Sequence, residues 1–194
     1  MKLNDDSLFL YRHAPILPEC DCLDIGCGRG ELLAEFAEKN PDAHFYGIDP
    51  FREHSGSGLK NLKFHRKSIS DIKKIFKAHS FDIVISNPPY FKKGCGRPSK
   101  DFEGTRDRTE SDEFNMASLF RAVNYLLKPA GHFCVIYPAA RLFECMKEME
   151  KCSLKPVEMI FRIPSKKRAD IFLVKGRNKK GIADPAIYAE CKRS

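Results

Sequence analysis

The fold of this chain is decided by residues 20–30, which read Cys20-Asp21-Cys22-Leu23-Asp24-Ile25-Gly26-Cys27-Gly28-Arg29-Gly30. The apolar-rich run 20–25 predicts a buried strand. Helical spacing then appears in the apolar residues that follow the glycines, namely Leu32, Leu33, Phe36 and Ala37. Glycines permit a tight turn and let a backbone approach a ligand closely, while a helix N-terminus favours polar or anionic groups. The stretch therefore predicts a strand, a glycine turn and a helix over 30–39.

Strands and helices alternate along the rest of the chain. The pattern predicts strands at 43–48, 62–66, 81–86, 131–137, 157–163 and 169–175, and helices at 69–78, 115–127 and 139–152. Such alternation indicates a mostly parallel, twisted, Rossmann-like sheet with helices on both faces. Since no helix is predicted between the last two strands, we expect an antiparallel C-terminal edge hairpin. A length of 194 residues suits a single domain, 1–194, in which 1–19 form a short N-terminal extension.

Two acidic residues accompany the glycine turn. Asp49 ends the strand 43–48 and follows Gly30 by nineteen residues, a spacing suited to holding ribose hydroxyls in a doubly wound fold. Asp24 stands inside the loop, where its charge would repel a pyrophosphate. The loop therefore argues against a nicotinamide cofactor and favours one with a cationic amino-acid end, a description that S-adenosylmethionine fits.

A second motif, Ser86-Asn87-Pro88-Pro89-Tyr90-Phe91, follows the strand 81–86. Two consecutive prolines hold a rigid turn whose carbonyls point outward. The Asn87 side chain and the Pro88 carbonyl can accept the two hydrogens of a planar exocyclic amino group while Tyr90 stacks on its ring. The plainer alternative is a strand-terminating turn, because Asn-Pro is a common turn opener.

In this order, the Asp-x-Gly-x-Gly-x-Gly loop, Asp49 and Asn-Pro-Pro-Tyr resemble class I methyltransferases that methylate amino groups. Within that class, residues 87–91 followed by Gly94 are similar to the bacterial tRNA (adenine-N6) methyltransferases that act on valine tRNA. The same likeness continues in the segments 108–110, 126–131, 137–142, 155–156 and 169–174. The resemblance thus covers roughly residues 20 to 190 and implies a class I methyltransferase fold.

The resemblance also implies a set of site residues. The cofactor S-adenosylmethionine would be held by Asp24, Gly26, Gly28, Gly30, Asp49, Ser68 and Asn87, and catalysis would rest on Asn87, Pro88, Pro89 and Tyr90. Ser68 stands where the family usually has an aspartate that contacts the adenine amino group. A serine hydroxyl can accept that hydrogen bond, though more weakly than a carboxylate.

The net charge of +8 is concentrated in two places. Residues 162–180 alone carry +7, and a second basic stretch follows the Pro-Pro-Tyr turn within 92–114, which we expect to be a mobile substrate loop. Candidate substrate contacts are Phe91, Lys92, Lys93, Arg106, Arg108, Lys166, Lys167 and Arg168. These cations favour a nucleic-acid substrate, with tRNA implied by the resemblance, although charge runs are often only exposed faces.

The cysteines, the apolar runs and the first residues of the chain indicate which class of protein this is. The eight cysteines form no Cys-x-x-Cys pair, so we interpret them as reduced thiols and expect no metal site. No apolar run approaches a membrane span, and the first residues do not read as a signal peptide, which favours a cytoplasmic protein. Nothing in the sequence points to a protein partner.

Two other functions remain open at this stage. The same amino-group chemistry serves an rRNA base, a DNA adenine or a protein glutamine as substrate. A catalytically silent, methyltransferase-like RNA-binding module is an alternative of a different class. Cofactor binding discriminates between them, because the silent module predicts RNA affinity without affinity for S-adenosylmethionine.

Overall fold

In the computed structural model, which describes residues 5–50, 58–90, 109–164, 168–178 and 185–191, eight strands form one sheet. The strands are β1 (Asp21–Ile25), β2 (His44–Ile48), β3 (Leu62–His65), β4 (Phe81–Ser86), β5 (Leu127–Pro138), β6 (Lys155–Ile163), β7 (Ile171–Arg177) and β8 (Ala186–Cys191). Their spatial order is β3-β2-β1-β4-β5-β7-β6-β8.

The sheet is mostly parallel, as predicted. Strands β1 to β5 pair in parallel, and β7 runs antiparallel to both β5 and β6. The predicted antiparallel pairing of the last two expected strands is thus confirmed. Strand β8, which the sequence did not predict, pairs in parallel with β6 and extends the sheet beyond that hairpin.

The strand order reverses at β1, between β2 and β4. Strand β1 lies between β2 and β4, with Ile25 opposite Ile48 and Asp24 opposite Ile85. Because parallel strands end at the same edge, the segments that follow β1, β2 and β4 meet on one rim. In doubly wound sheets, that rim at the switch point is the usual ligand site.

Five helices flank the sheet in the described ranges: α1 (Asp5–His13), α2 (Glu31–Lys39), α3 (Ile72–Ile75), α4 (Met116–Leu126) and α5 (Leu142–Lys151). Helix α1 lies in the stretch that was expected to be only a short extension. The predicted helix 69–78 is shorter than expected. It ends at Ile75 because Phe76 takes an extended backbone and packs its ring edge-on against Phe81.

Helices on both faces bury two apolar clusters. On one face, Phe9 and Leu10 of α1 and residues of α2 pack against the sheet side chains Cys22, Phe45, Ile83, Ile85, Cys134 and Ile136. On the other, residues of α4 and α5 pack against Leu23, Ile25, Val84, Phe133 and Val135. Since both faces are covered, the central strands are almost continuously apolar. Two buried polar side chains, Asp24 of β1 and Ser86 of β4, are exceptions to this apolar pattern, and both lie near the rim where the strands end.

None of the helices in the described ranges is long and apolar enough to span a membrane. In the same ranges, no group of three or more His, Cys, Asp or Glu side chains is arranged to hold a metal ion. The cysteines that the structure describes are all free thiols.

Candidate active site

The glycine turn after β1 requires its glycines for two different reasons. Gly26, Gly28 and Gly30 all have positive φ angles, of 78°, 57° and 78°, which side-chain-bearing residues rarely adopt. A Cβ on Gly30 would lie 2.2 Å from Phe64 Cζ, and one on Gly26 would lie 2.8 Å from Phe114 Cε1. A Cβ on Gly28 would meet nothing within 4 Å. Backbone conformation therefore requires all three glycines, and close packing additionally requires Gly26 and Gly30.

The turn is joined to the end of β2. The backbone N–H of Gly26 donates to the Ile48 carbonyl at 2.8 Å. The Gly28 N–H donates to the Asp49 carboxylate at 3.1 Å. The structure therefore brings the predicted glycine loop and the predicted acid at the end of the second strand into direct contact.

Asp24 is the unusual group of the site. The residue is 4% exposed, and its Oδ1 has no hydrogen-bond partner among the residues that the structure describes. Burial, with a contribution from the negative charge of Asp49, raises the pKa of the Asp24 carboxyl to about 7. A buried acceptor without a partner is costly, and a bound cation or donor would remove that cost.

The motif after β4 lies beside this loop. Ser86 Oγ donates to the Ile25 carbonyl at 2.7 Å, which fixes the end of β4 against the end of β1. Asn87 Nδ2 donates to Ser7 Oγ of α1 at 3.2 Å. The Tyr90 hydroxyl donates to Asn87 Oδ1. Both ends of the Asn87 amide are therefore engaged, the oxygen by Tyr90 and the nitrogen by α1.

An ion-pair network that the sequence did not predict holds the backbone of the Asn-Pro-Pro-Tyr motif. Arg141 Nη1 donates to the Tyr90 carbonyl at 3.0 Å and to Glu110 Oε1 at 2.9 Å. The side chains of Arg141 and Glu110 are each only 10% exposed. Glu110 also accepts from the backbone N–H of Met116, at the start of α4, at 3.1 Å. The sequence placed Glu110 and Arg141 only within segments of family likeness, and no spacing rule pairs them.

Ser68 contacts a carboxylate that the sequence analysis did not single out. Its Oγ donates to Glu113 Oε2 at 2.7 Å and accepts from the Ser70 N–H at 3.3 Å. Ser68 also precedes the short 3₁₀ turn Ile69–Asp71 as its N-cap. The predicted cofactor residue thus lies at the carboxyl end of the sheet beside an acid from the segment before α4.

Most of the predicted substrate contacts lie outside the described residues. This applies to Phe91, Lys92, Lys93, Arg106, Arg108, Lys166 and Lys167, and to the loop 92–114 as far as residue 108. Arg168 is described and exposed, just before β7.

Part of the late basic segment is neutralised by neighbouring acids. Arg162 lies 2.9 Å from Asp6 and 2.8 Å from Asp170, and its side chain is 13% exposed. Lys175 lies 2.8 Å from Glu158. These two cations serve internal ion pairs, so the segment presents less charge to a ligand than the sequence count indicated.

A family profile described as a methyltransferase domain matches residues 16–177. Among curated proteins, a tRNA1(Val) (adenine(37)-N6)-methyltransferase of Dyadobacter fermentans is 28% identical over 144 residues, covering 71% of this chain and 59% of that protein. A protein of the same name from Flavobacteriaceae bacterium (strain 3519-10) is 30% identical over 161 residues, covering 79% of this chain and 67% of that protein. The chain thus spans about three fifths to two thirds of these relatives' lengths.

Solved structures share the fold. A predicted O-methyltransferase from Agrobacterium tumefaciens superposes with a TM-score of 0.68 at 13% identity, covering 96% of this chain and 85% of that one. A geranyl diphosphate C-methyltransferase from Streptomyces coelicolor A3(2), solved with S-adenosyl-L-homocysteine, superposes with a TM-score of 0.59 at 11% identity, covering 89% and 78%. At these identities the likeness shows the architecture alone.

The residues of the rim fit S-adenosylmethionine, the cofactor of class I methyltransferases. The buried Asp24 Oδ1, which has no partner in the described part of the chain, suits the ammonium group of the methionine end. The Asp49 carboxylate already accepts from a backbone N–H and suits hydroxyl donors of a ribose. The positive-φ glycine turn lets the backbone come close to both.

Proposed function

The chain belongs to the methyltransferase domain family, and on that premise we propose that it transfers a methyl group from S-adenosylmethionine to the exocyclic N6 of an adenine in tRNA. The observation that carries the proposal is the engaged amide of Asn87 at the end of β4, next to the glycine turn and Asp24. An acceptor at this place is what an amino group needs in order to be held and oriented.

The proposed chemistry needs no strong base. The lone pair of an adenine amino group is delocalised into its ring, so the nitrogen is a poor nucleophile. When Asn87 Oδ1 and the Pro88 carbonyl accept its two hydrogens, the nitrogen shifts toward tetrahedral geometry and the positive charge that develops during attack is stabilised. The bound cofactor would supply an electrophilic methyl group, its sulfonium becoming a neutral thioether as the C–S bond breaks, and one proton of the methylated amino group would leave to solvent. The remaining task of the chain is alignment.

Tyr90 has two roles in this proposal. Its hydroxyl donates to Asn87 Oδ1, the same acceptor that the amino group would use. When the phenol turns away from Asn87, the lone pair of Oδ1 that it occupies becomes available to the amino group, and the Tyr90 ring can stack on the base. Arg141 holds the Tyr90 backbone while the side chain turns, since it bonds the Tyr90 carbonyl and not the phenol.

The choice of tRNA rests on the names of the curated relatives and on the basic sequence around the site. The cations at 92–108 and 166–168 would neutralise phosphates that flank the base, and the loop 92–114 would order around the RNA. A single domain, a cytoplasmic location and independence from metal are parts of the same proposal.

The proposal is tested by calorimetric titration with S-adenosylmethionine, followed by incubation with labelled cofactor and unmodified bacterial tRNA. We expect cofactor binding and label in N6-methyladenosine. Parallel incubations contain rRNA, DNA or a glutamine-bearing protein in place of tRNA, and label in one of these with none in tRNA would overturn the tRNA assignment. RNA binding without cofactor binding would support the silent RNA-binding module instead.

Two asparagine-to-alanine variants distinguish the effect of losing the proposed acceptor from the effect of losing an asparagine elsewhere in the fold. Asn87→Ala removes the proposed acceptor and should lower kcat at least about a hundredfold while cofactor affinity stays nearly unchanged. Asn124→Ala removes an asparagine amide of α4 that accepts from Asn178 Nδ2 at 2.7 Å, beyond the end of β7, and should leave kcat unchanged. Full activity of Asn87→Ala would overturn the mechanism.

A further inference from the structure

Helix α1, which the sequence did not predict, reaches the centre of the proposed active site. Ser7 Oγ accepts from Asn87 Nδ2 at 3.2 Å, although the two residues are 80 positions apart in the chain. Asn87 is also the residue whose Oδ1 faces Tyr90. One side chain of α1 thus holds the nitrogen end of the amide whose oxygen end is the proposed acceptor.

The two ends of an asparagine amide are chemically opposite. The oxygen accepts hydrogen bonds and the nitrogen donates them, so rotation about χ2 exchanges an acceptor for a donor. A donor that faced the base would meet the hydrogens of the amino group and oppose binding. In this structure the Ser7 hydroxyl accepts from Nδ2 on the far side, and this bond holds Oδ1 on the side of Tyr90 and the substrate.

Helix α1 is held firmly enough to act as that partner. Phe9 and Leu10 are 2% and 0% exposed and pack into the apolar cluster on this face of the sheet. Asp6 pairs with Arg162 of β6 at 2.9 Å, and the Arg162 guanidinium lies 5.8 Å from the centroid of the Phe9 ring. Asp6, which precedes Ser7, is therefore anchored to β6, and Phe9 and Leu10, which follow it, are anchored in the apolar cluster.

A second anchor joins the end of α1 to the edge of the sheet. Arg12 Nη1 lies 3.3 Å from one carboxylate oxygen of Glu190 in β8, and His13 Nε2 lies 2.8 Å from the other. Both ends of the nine-residue helix are thus attached to the C-terminal strands. The last strands of the sheet, far from the glycine turn in sequence, support the placement of the Asn87 amide.

We propose that Ser7 is a positioning residue for methyl transfer, acting through its hydrogen bond to Asn87 to hold the amide oxygen toward the amino group of the substrate. This inference rests on the proposed amino-methylating function of the site. Ser7 acts through Asn87 and not on the cofactor, so its loss reduces kcat and leaves the affinity for S-adenosylmethionine unchanged.

The test compares two variants of the whole chain, Ser7→Thr and Ser7→Val, whose new side chains have the same shape. Threonine keeps the hydroxyl and valine replaces it by a methyl group, while both carry the same β-branch in the helix. We expect Ser7→Thr to retain kcat and Ser7→Val to lower it about five- to tenfold, the effect of one hydrogen bond. Equal kcat in Ser7→Val and wild type would overturn the inference.

A readout that needs no substrate accompanies the kinetics. The side-chain amide signals of Asn87 in a ¹⁵N correlation spectrum, assigned by their disappearance in Asn87→Ala, should shift in Ser7→Val and stay in place in Ser7→Thr. Unchanged signals in Ser7→Val would contradict the inference even if no tRNA were methylated. Failure of wild type to methylate tRNA would instead overturn the proposed function and leave this spectral test standing.

A control on the same helix guards against a general effect on folding. Arg12→Ala removes a side chain of α1 that is 65% exposed and contacts Glu190, not Asn87. It should leave both kcat and the Asn87 amide signals unchanged, because His13 still contacts Glu190 and Asp6 still pairs with Arg162, so both ends of α1 stay attached. A Ser7→Val effect that Arg12→Ala reproduced in full would assign the loss to the helix as a whole and overturn a specific role for Ser7.

Discussion

Arg141 bonds the backbone carbonyl of Tyr90 through Nη1 at 3.0 Å, while the same nitrogen pairs with Glu110 at 2.9 Å. One guanidinium thereby connects the Asn-Pro-Pro-Tyr turn, the segment before α4 and, through Glu144 at 3.0 Å, the first turn of α5. Arginine suits this task because its planar fork presents several donors in fixed directions. The motif is thus held by an element that begins about fifty residues later in the chain.

Replacing Arg141 should be costly for stability. Arg141→Met leaves the Glu110 carboxylate, 10% exposed, without its cation, and an uncompensated buried charge costs about 3–5 kcal/mol. Urea unfolding measures the change in the free energy of unfolding. Adding Glu110→Gln to Arg141→Met should recover part of the loss, because the buried charge is then removed as well.

An exposed ion pair supplies the comparison for Arg141. Lys151 pairs with Glu148 at 2.6 Å, and its side chain is 68% exposed. Lys151→Met should therefore cost no more than about 1 kcal/mol. If Arg141→Met cost no more than Lys151→Met, the network would have no structural importance.

The raised pKa of Asp24 should make the protein less stable as pH rises, the opposite of the effect of a carboxyl whose pKa is lowered by folding. Its carboxyl has a pKa of about 7 in the folded protein and about 3.8 in the unfolded chain. Between these values the folded state binds more protons, so the contribution of Asp24 to stability falls as pH rises from about 4 to about 7. Asp24→Asn removes this contribution.

The measurement is the free energy of unfolding of wild type and Asp24→Asn at about pH 5 and about pH 8. Other carboxyls titrate in both proteins, so their effects cancel in the difference. Asp24→Asn should gain stability relative to wild type as pH rises across this interval. A difference that stays constant with pH would show that the Asp24 carboxyl is not perturbed.

Cofactor binding should release a proton. At about pH 6 the ammonium group of free S-adenosylmethionine is already charged, since α-amino groups titrate near 7.7–8.0, whereas Asp24 is mostly protonated. A cation placed beside Asp24 favours the carboxylate and displaces its proton. Calorimetry in buffers of different ionisation enthalpy should report this release at about pH 6 and its absence in Asp24→Asn.

The glycines of the turn should differ in their tolerance of alanine. Gly28→Ala adds a Cβ into open space and should cost about 1–2 kcal/mol for the left-handed backbone alone. Gly30→Ala carries the same backbone cost, and its Cβ would lie 2.2 Å from Phe64 Cζ, which adds about 1–3 kcal/mol of overpacking. Thermal or urea unfolding of the two variants measures the difference, and equal stabilities would contradict the packing argument.

Local patterns were enough to predict the parallel, N-terminal part of the sheet. The strand at 20–25, the turn at 26–30 and the acid at Asp49 each follow from residue spacing, and the structure confirms the strands. The hydrogen bond from Gly28 to Asp49 is a contact that the sequence did not predict. The sequence did not predict strand β8 or helix α1, and each omission has a physical reason. Strand β8 exposes most of its side chains at the sheet edge and therefore lacks a buried alternation. Helix α1 buries only Phe9 and Leu10, too few residues for a clear helical stripe.

The sequence by itself determined the order of the strands β1 to β7, the conformation of the glycine turn and the identity of the two motifs, because each depends on residues that are close together in the chain. Only the tertiary structure decided that Ser7 meets Asn87 and that Arg141 meets Tyr90 and Glu110. It also decided that Asp24 is buried with no described residue as a partner for Oδ1. Such contacts join residues up to 80 positions apart, and they arise from how helices dock on the completed sheet. No local periodicity encodes that docking, since it depends on all the packed surfaces at once.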